Sequence, residues 1–174
     1  MGLFDQLSSV LQQYANSSGT GQPHPQVNEH FDQVSQAAPS SALADGLAAA
    51  FRSNSTPDFG QMLSSMFSQS TGDQKAGILN QLLASGGPAL LAQLGGTGGG
   101  LAALLGGASA LTPQQASQVS PEVVQQLAAH AEKSDPSLID KASAFYSEHP
   151  ALIKTLGGAA LTIALAKMAQ KTNA

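Results

Sequence analysis

LTPQQASQVSPEVVQQLAAHAEKSDPSLIDKASAFY, Leu111 to Tyr146, sets a Thr, Ser or Asp directly before a proline at Thr112-Pro113, Ser120-Pro121 and Asp135-Pro136. A short polar side chain can accept from the orphan amides of a first helical turn. The proline after it has the right φ for that turn and lacks an N–H that would go unpaired. Gln115, three residues after Thr112, completes a capping box. Glu122 follows Ser120-Pro121, where the positive end of a helix favours an acid. Between these starts the apolar residues recur at helical spacing: Val123, Val124 and Leu127, then Leu138, Ile139, Ala142, Phe145 and Tyr146.

The same pattern extends in both directions. Pro150 starts a final predicted helix running to about Lys171. Toward the N-terminus, Thr56, Pro57 and Asp58 read as N-cap, N1 and first turn of a helix whose stripe is Phe59, Met62, Leu63, Met66 and Phe67. Ile78, Leu79, Leu82 and Leu83 mark another, closed by Gly86-Gly87. Leu43, Leu47, Ala50 and Phe51 mark one more, as do Val27, Phe31 and Val34, which end before Pro39. Leu3, Phe4, Leu7, Val10, Leu11 and Tyr14 draw one apolar stripe on a first helix. No segment alternates with period two, so the expected fold is all-α, a multi-helix bundle.

NSSGTGQPHP, Asn16 to Pro25, reads as a flexible linker, which makes the first helix an N-terminal amphipathic arm. The expected organisation is an amphipathic helix over 1–15, a linker over 16–25, a helical half over 26–94, a Gly-rich hinge over 95–100 and a second helical half over 101–174.

That hinge lies in QLGGTGGGLAALLGG, Gln93 to Gly107, inside a run from Ala76 to Pro121 that holds no charged residue. A phosphate-binding loop would need Gly-Lys-Ser/Thr at its end, and this run continues in glycine, leucine and alanine. Gly98, Gly100 and Ala103 loosely fit a dinucleotide fingerprint, but no strand precedes them and no acid follows at the required distance. The apolar blocks Leu90–Leu94 and Leu101–Leu105 are each too short to cross a bilayer, which takes roughly 20 residues. A buried helix pair around a hinge fits them better.

Composition excludes more than it assigns. Charged residues make up only 10% of the 174 residues, and the net charge is −4. A nucleic-acid partner is excluded on this reading, because phosphate neutralisation needs clustered Lys and Arg. The absence of cysteine rules out disulfides, thiolate metal sites and Cys nucleophiles. MGLFDQLSSVLQQYA has no basic n-region, so it does not read as a secretory signal, and a cytoplasmic protein is expected.

The C-terminal segment PALIKTLGGAALTIALAKMAQK is uncharged from Thr155 to Ala166. Leu152, Leu156, Gly157, Gly158 and Ile163 make it a candidate buried or self-association helix through small residues, with an interfacial membrane helix and, behind it, a membrane span as the alternatives. Of the four histidines, His24 lies in the linker, His30 beside Glu29 and Asp32, His130 near a helix end and His149 before Pro150. None has a recognised metal spacing. No nucleophile motif or carboxylate pair stands out, so no catalytic, cofactor or metal residue is assigned and no enzyme is expected. The lone Arg52 reads as half of a surface ion pair with Asp45 or Asp58.

The opening MGLFDQLSSVL, the glycine stretch and LTPQQASQVSPEVVQQLAAHA together resemble the YidB-like family of small helical bacterial proteins. The chain departs from that family in having no tryptophan and in the order of its segments. The resemblance implies a helical bacterial protein and transfers no functional residue. The function expected from the residues is a non-catalytic interaction or scaffold protein. It would form a homo-oligomer or bind a helical partner, with Leu3, Phe4, Leu7 and Leu11 as the partner face. The competing expectation is a membrane-peripheral carrier sheltering a lipid- or quinone-type molecule between apolar helices.

Overall fold

The computed structural model describes residues 3–16, 24–93 and 103–172, without the side chains of residues 3, 4, 87–93 and 172. The chain is all-α, with no strand among the described residues. It divides into two compact units, one formed by Met1–Asp58 with Ser143–Ala174 and the other by Phe59–Ala142. The expected hinge at 95–100 lies outside the described residues, and the division between units falls elsewhere.

The first unit contains α1 (Leu3–Asn16), α2 (Val27–Ala37), α3 (Ser40–Phe51) and the C-terminal helices. Its centre is α10 (Gly158–Thr172), which packs against α1, α2 and α3. Ala160, Leu161, Ala164, Leu165, Ala166, Met168 and Ala169 of α10 are all buried. Even Thr162 is buried, its hydroxyl donating to the Gly158 carbonyl at 2.8 Å. A helix covered on most sides can do without a charged face, which explains the uncharged run in the sequence. No helix among the described residues is long and apolar enough to cross a membrane.

The helix expected from Pro150 to Lys171 is broken. α9 (Pro150–Ile153) passes into a 3-10 turn at Lys154–Leu156, and Gly157 then takes a φ of +87°. That backbone is open to glycine and strained for other residues, so Gly157 ends one helix and lets α10 start in a new direction. α1 also corrects the sequence reading. It packs against α10, with Leu11 and Tyr14 buried, and is part of the unit rather than a detached arm.

α3 and α10 meet at Gly46, where a Cβ would lie 2.8 Å from the Ala164 carbonyl oxygen. Ion pairs tie the periphery. Lys154 reaches Asp32 at 2.7 Å, and Lys171 pairs with Asp45, leaving Asp45 committed to a partner other than Arg52. Thr56 does not cap α4. Its hydroxyl turns back to donate to the carbonyls of Ala50 at 2.6 Å and Ser53 at 3.0 Å, closing the end of α3.

The second unit packs α4 (Phe59–Gln69) on α7 (Pro121–Ser134), and α5 (Gly72–Gln93) on α7 and the short α6 (Pro113–Ser117). Phe59, Met62, Leu63, Met66 and Phe67 from α4 are buried, as are Ile78, Leu79 and Leu82 from α5 and Val124, Leu127, Ala128 and Ala131 from α7. Burying each of the larger side chains contributes about 1.5–3 kcal/mol. At Gly60 an added Cβ would lie 2.7 Å from the Gln125 carbonyl oxygen, a second close approach of helix backbones.

α5 does not close at Gly86-Gly87 but continues through them and Pro88 to Gln93. Each helical glycine costs only about 1 kcal/mol relative to alanine, which a helix already docked along its first half can absorb. The Thr112 capping box forms as expected, with Thr112 and Gln115 exchanging side-chain and backbone hydrogen bonds. α8 (Leu138–Ser147) starts beyond Asp135, whose carboxylate accepts from the Ser137 amide at 3.0 Å in the preceding turn.

Candidate functional site

Three rings of the first unit, two from helices and one from the segment ahead of α2, form a cluster of chemically capable side chains. Tyr14 stands in the last turn of α1, His30 in the first turns of α2, and His24 just ahead of α2. Their centroids form a near-equilateral triangle: Tyr14 to His24 5.8 Å, Tyr14 to His30 5.7 Å, His24 to His30 5.8 Å. Tyr14 meets both imidazoles edge to face, at interplanar angles of 64° and 83°, a favoured geometry for aromatic pairs.

Each imidazole is held by a side chain of α1. The Tyr14 hydroxyl lies 2.8 Å from Nδ1 of His30, and the Gln13 side-chain nitrogen lies 2.7 Å from Nε2 of His24. Donor and acceptor follow the tautomer in both contacts. The Gln26 amide approaches Nδ1 of His24 at a long 3.5 Å. Tyr14 is only 1% exposed, and burial raises its phenol pKa above the ordinary tyrosine value.

This cluster differs from what the sequence brought together. Glu29 is exposed, and Asp32 is engaged by Lys154, so neither acid joins His30. The missed signal was one of periodicity. Val27, His30, Phe31 and Val34 share the i, i+3, i+4, i+7 stripe of α2, which puts His30 on the buried face beside the apolar residues. No sequence pattern announced His24, because a residue in a connecting segment has no periodicity to read.

The remaining sites are simpler. Of the expected partner face, Leu11 is in the core and Leu7 is half-buried, while the side chains of Leu3 and Phe4 lie outside the described residues. On the expected self-association helix, Leu152 is buried, Leu156, Gly158 and Ile163 are half-buried, and Gly157 is exposed at the break. His130 is exposed on α7, and His149 packs edge to face with Phe145 at 5.5 Å.

Asp135 carries a strong electrostatic perturbation. The hydrogen bond from Lys141 at 2.7 Å, and then that from the Ser137 hydroxyl, hold its carboxyl down to about 2. Glu122 is lowered by its own backbone amide and then by Ser120, so Ser120 serves the helix start through Glu122 rather than through the amides. Both effects belong to helix ends. Among the described residues, no group of three or more His, Asp or Glu side chains gathers to hold a metal ion. No family model, no curated protein and no solved structure matches this chain.

Proposed function

We propose that this chain is a non-catalytic helical interaction protein that associates with copies of itself. The observation that carries this reading is an exposed, uncharged segment held in fixed position on the second unit. Gly106 to Ala110 and Thr112 to Gln114 are exposed, and all lie within the charge-free run. Leu105 and Leu111 on either side are buried as anchors. Asn80 on α5 clamps the segment, accepting from the Leu111 amide at 2.7 Å and donating to the Leu111 carbonyl at 3.2 Å. A surface without charge offers little electrostatic resistance to a second copy, and a preorganised segment loses little entropy on docking.

The resemblance to the YidB-like family accords with a helical bacterial protein of this kind. A cytoplasmic position goes with the reading, with contact to a membrane surface as the alternative. Size-exclusion chromatography with light scattering, followed by native mass spectrometry, tests it. A discrete oligomer without added mass is expected, and Ala110→Glu should shift it toward monomer without lowering Tm. A monomer at every concentration refutes self-association. A peak carrying lipid-sized mass replaces the reading with that of an apolar-ligand carrier.

A further inference from the structure

We propose that His24 and His30 form a two-imidazole site for a borderline divalent transition cation such as Cu2+, Ni2+ or Zn2+, with Tyr14 and Gln13 as positioning residues. The inference does not depend on self-association. Metal–imidazole bonds are about 2.0–2.1 Å long, which puts the ring centres of two imidazoles sharing one ion on the order of 5–6 Å apart. The His24 and His30 centroids are 5.8 Å apart. The ring separation thus falls within the range that two imidazoles sharing one ion adopt.

The hydrogen bonds supply the second condition. A ligating histidine commonly gives its other ring N–H to an oxygen, which fixes the tautomer and aims the remaining lone pair. The Tyr14 oxygen can accept from Nδ1–H of His30, leaving Nε2 as the ligating atom. The Gln13 amide sits on Nε2 of His24. Turned end for end, its oxygen accepts from Nε2–H and leaves Nδ1 as the ligand. The two α1 residues thus take one nitrogen from each ring, which leaves Nε2 of His30 for an ion, while at Nδ1 of His24 the ion would displace the long 3.5 Å contact of the Gln26 amide. Water completes the coordination shell. Nitrogen donors of this kind follow the order Ni2+ < Cu2+ > Zn2+.

The chain has two tyrosines and no tryptophan, so tyrosine emission is a local reporter. The full chain, stripped with chelator, is titrated with Cu2+ while fluorescence and heat are recorded. One equivalent per chain should quench the Tyr14 share of the emission, and Zn2+ should restore it by displacing Cu2+ only when in excess. His24→Asn and His30→Asn should each reduce binding to the background of the double variant. His24 lies outside the helices, so its variant carries the test even if His30→Asn loses helicity by circular dichroism. Tyr14→Phe should keep the stoichiometry in the calorimeter but weaken affinity by about 10–100-fold. Stoichiometric binding that survives His24→Asn unchanged overturns the assignment, as does the absence of saturable binding to the intact chain.

Discussion

Replacing Gly46 by alanine sets two well-separated effects against each other. In an exposed helix the change gains about 1 kcal/mol, because alanine has the better helical propensity. At Gly46 the new methyl would lie 2.8 Å from the Ala164 carbonyl oxygen, 3.1 Å from Met168 Cγ and 3.3 Å from the Ala164 carbonyl carbon. The Met168 side chain can move aside. The carbonyl cannot, because it belongs to the backbone of α10, whose other sides are packed on α1 and α2. α3 must therefore withdraw by roughly half an ångström, and overpacking of this kind costs about 1–3 kcal/mol. The expected outcome of Gly46→Ala is a net loss of about 1 kcal/mol, read from urea unfolding at constant m-value. For a chain of this size each kcal/mol lowers Tm by about 2–4 °C. Gly46→Leu should lose more, since its branches have no space to occupy. A Gly46→Ala variant more stable than the parent by about 1 kcal/mol would refute the close approach of α3 and α10, because propensity alone would then account for the result.

Leu11→Ala should cost about 2–5 kcal/mol, as for a buried leucine, whereas an arm free of the body would tolerate it; chemical unfolding decides. Asn80→Ala strands the Leu111 amide and carbonyl, and a loss of about 1–3 kcal/mol is expected, with faster hydrogen exchange at Leu111. Thr112→Ala should lose about 1 kcal/mol by removing the capping box. Asp135 has a folded pKa of about 2 against an ordinary 3.8, so its contribution is complete above pH 4 or so and fades as pH falls through about 2. Carboxyl NMR should show that low midpoint, and Lys141→Ala should move it upward.

Helix identity was legible wherever burial and capping chemistry agreed. The stripes of α2, α4 and α7 and the Thr112 box stand where periodicity and spacing put them. Ends were misread where a residue had two possible uses. Thr56 can cap the helix ahead or close the one behind, and only the position of the Ala50 carbonyl decides between them. Gly86-Gly87 and Gly157-Gly158 look alike in sequence. The first pair is carried through by α5, and the second breaks the chain because Gly157 adopts a positive φ. The uncharged C-terminal helix was ambiguous for a physical reason, since burial among α1, α2 and α3 selects the same residues as burial in lipid. The ring cluster was the least legible part, because it depends on Tyr14 and His24 meeting across a connection rather than on any local spacing.

The placement of α10 also has a consequence in time. It supplies the surface on which α1, α2 and α3 pack, yet it is translated roughly a hundred residues after α3. At bacterial or eukaryotic speeds that interval is on the order of 5–20 s. Through it the apolar stripes of three early helices lack the helix on which most of their native packing is made, while the second unit, contiguous in sequence, can already condense. Pairing between distant segments also slows folding, because the intervening chain must close a large loop before any contact rewards it. The first unit therefore has a window of exposure on the ribosome that the second lacks, and chaperone capture or early aggregation of nascent chains should concentrate there.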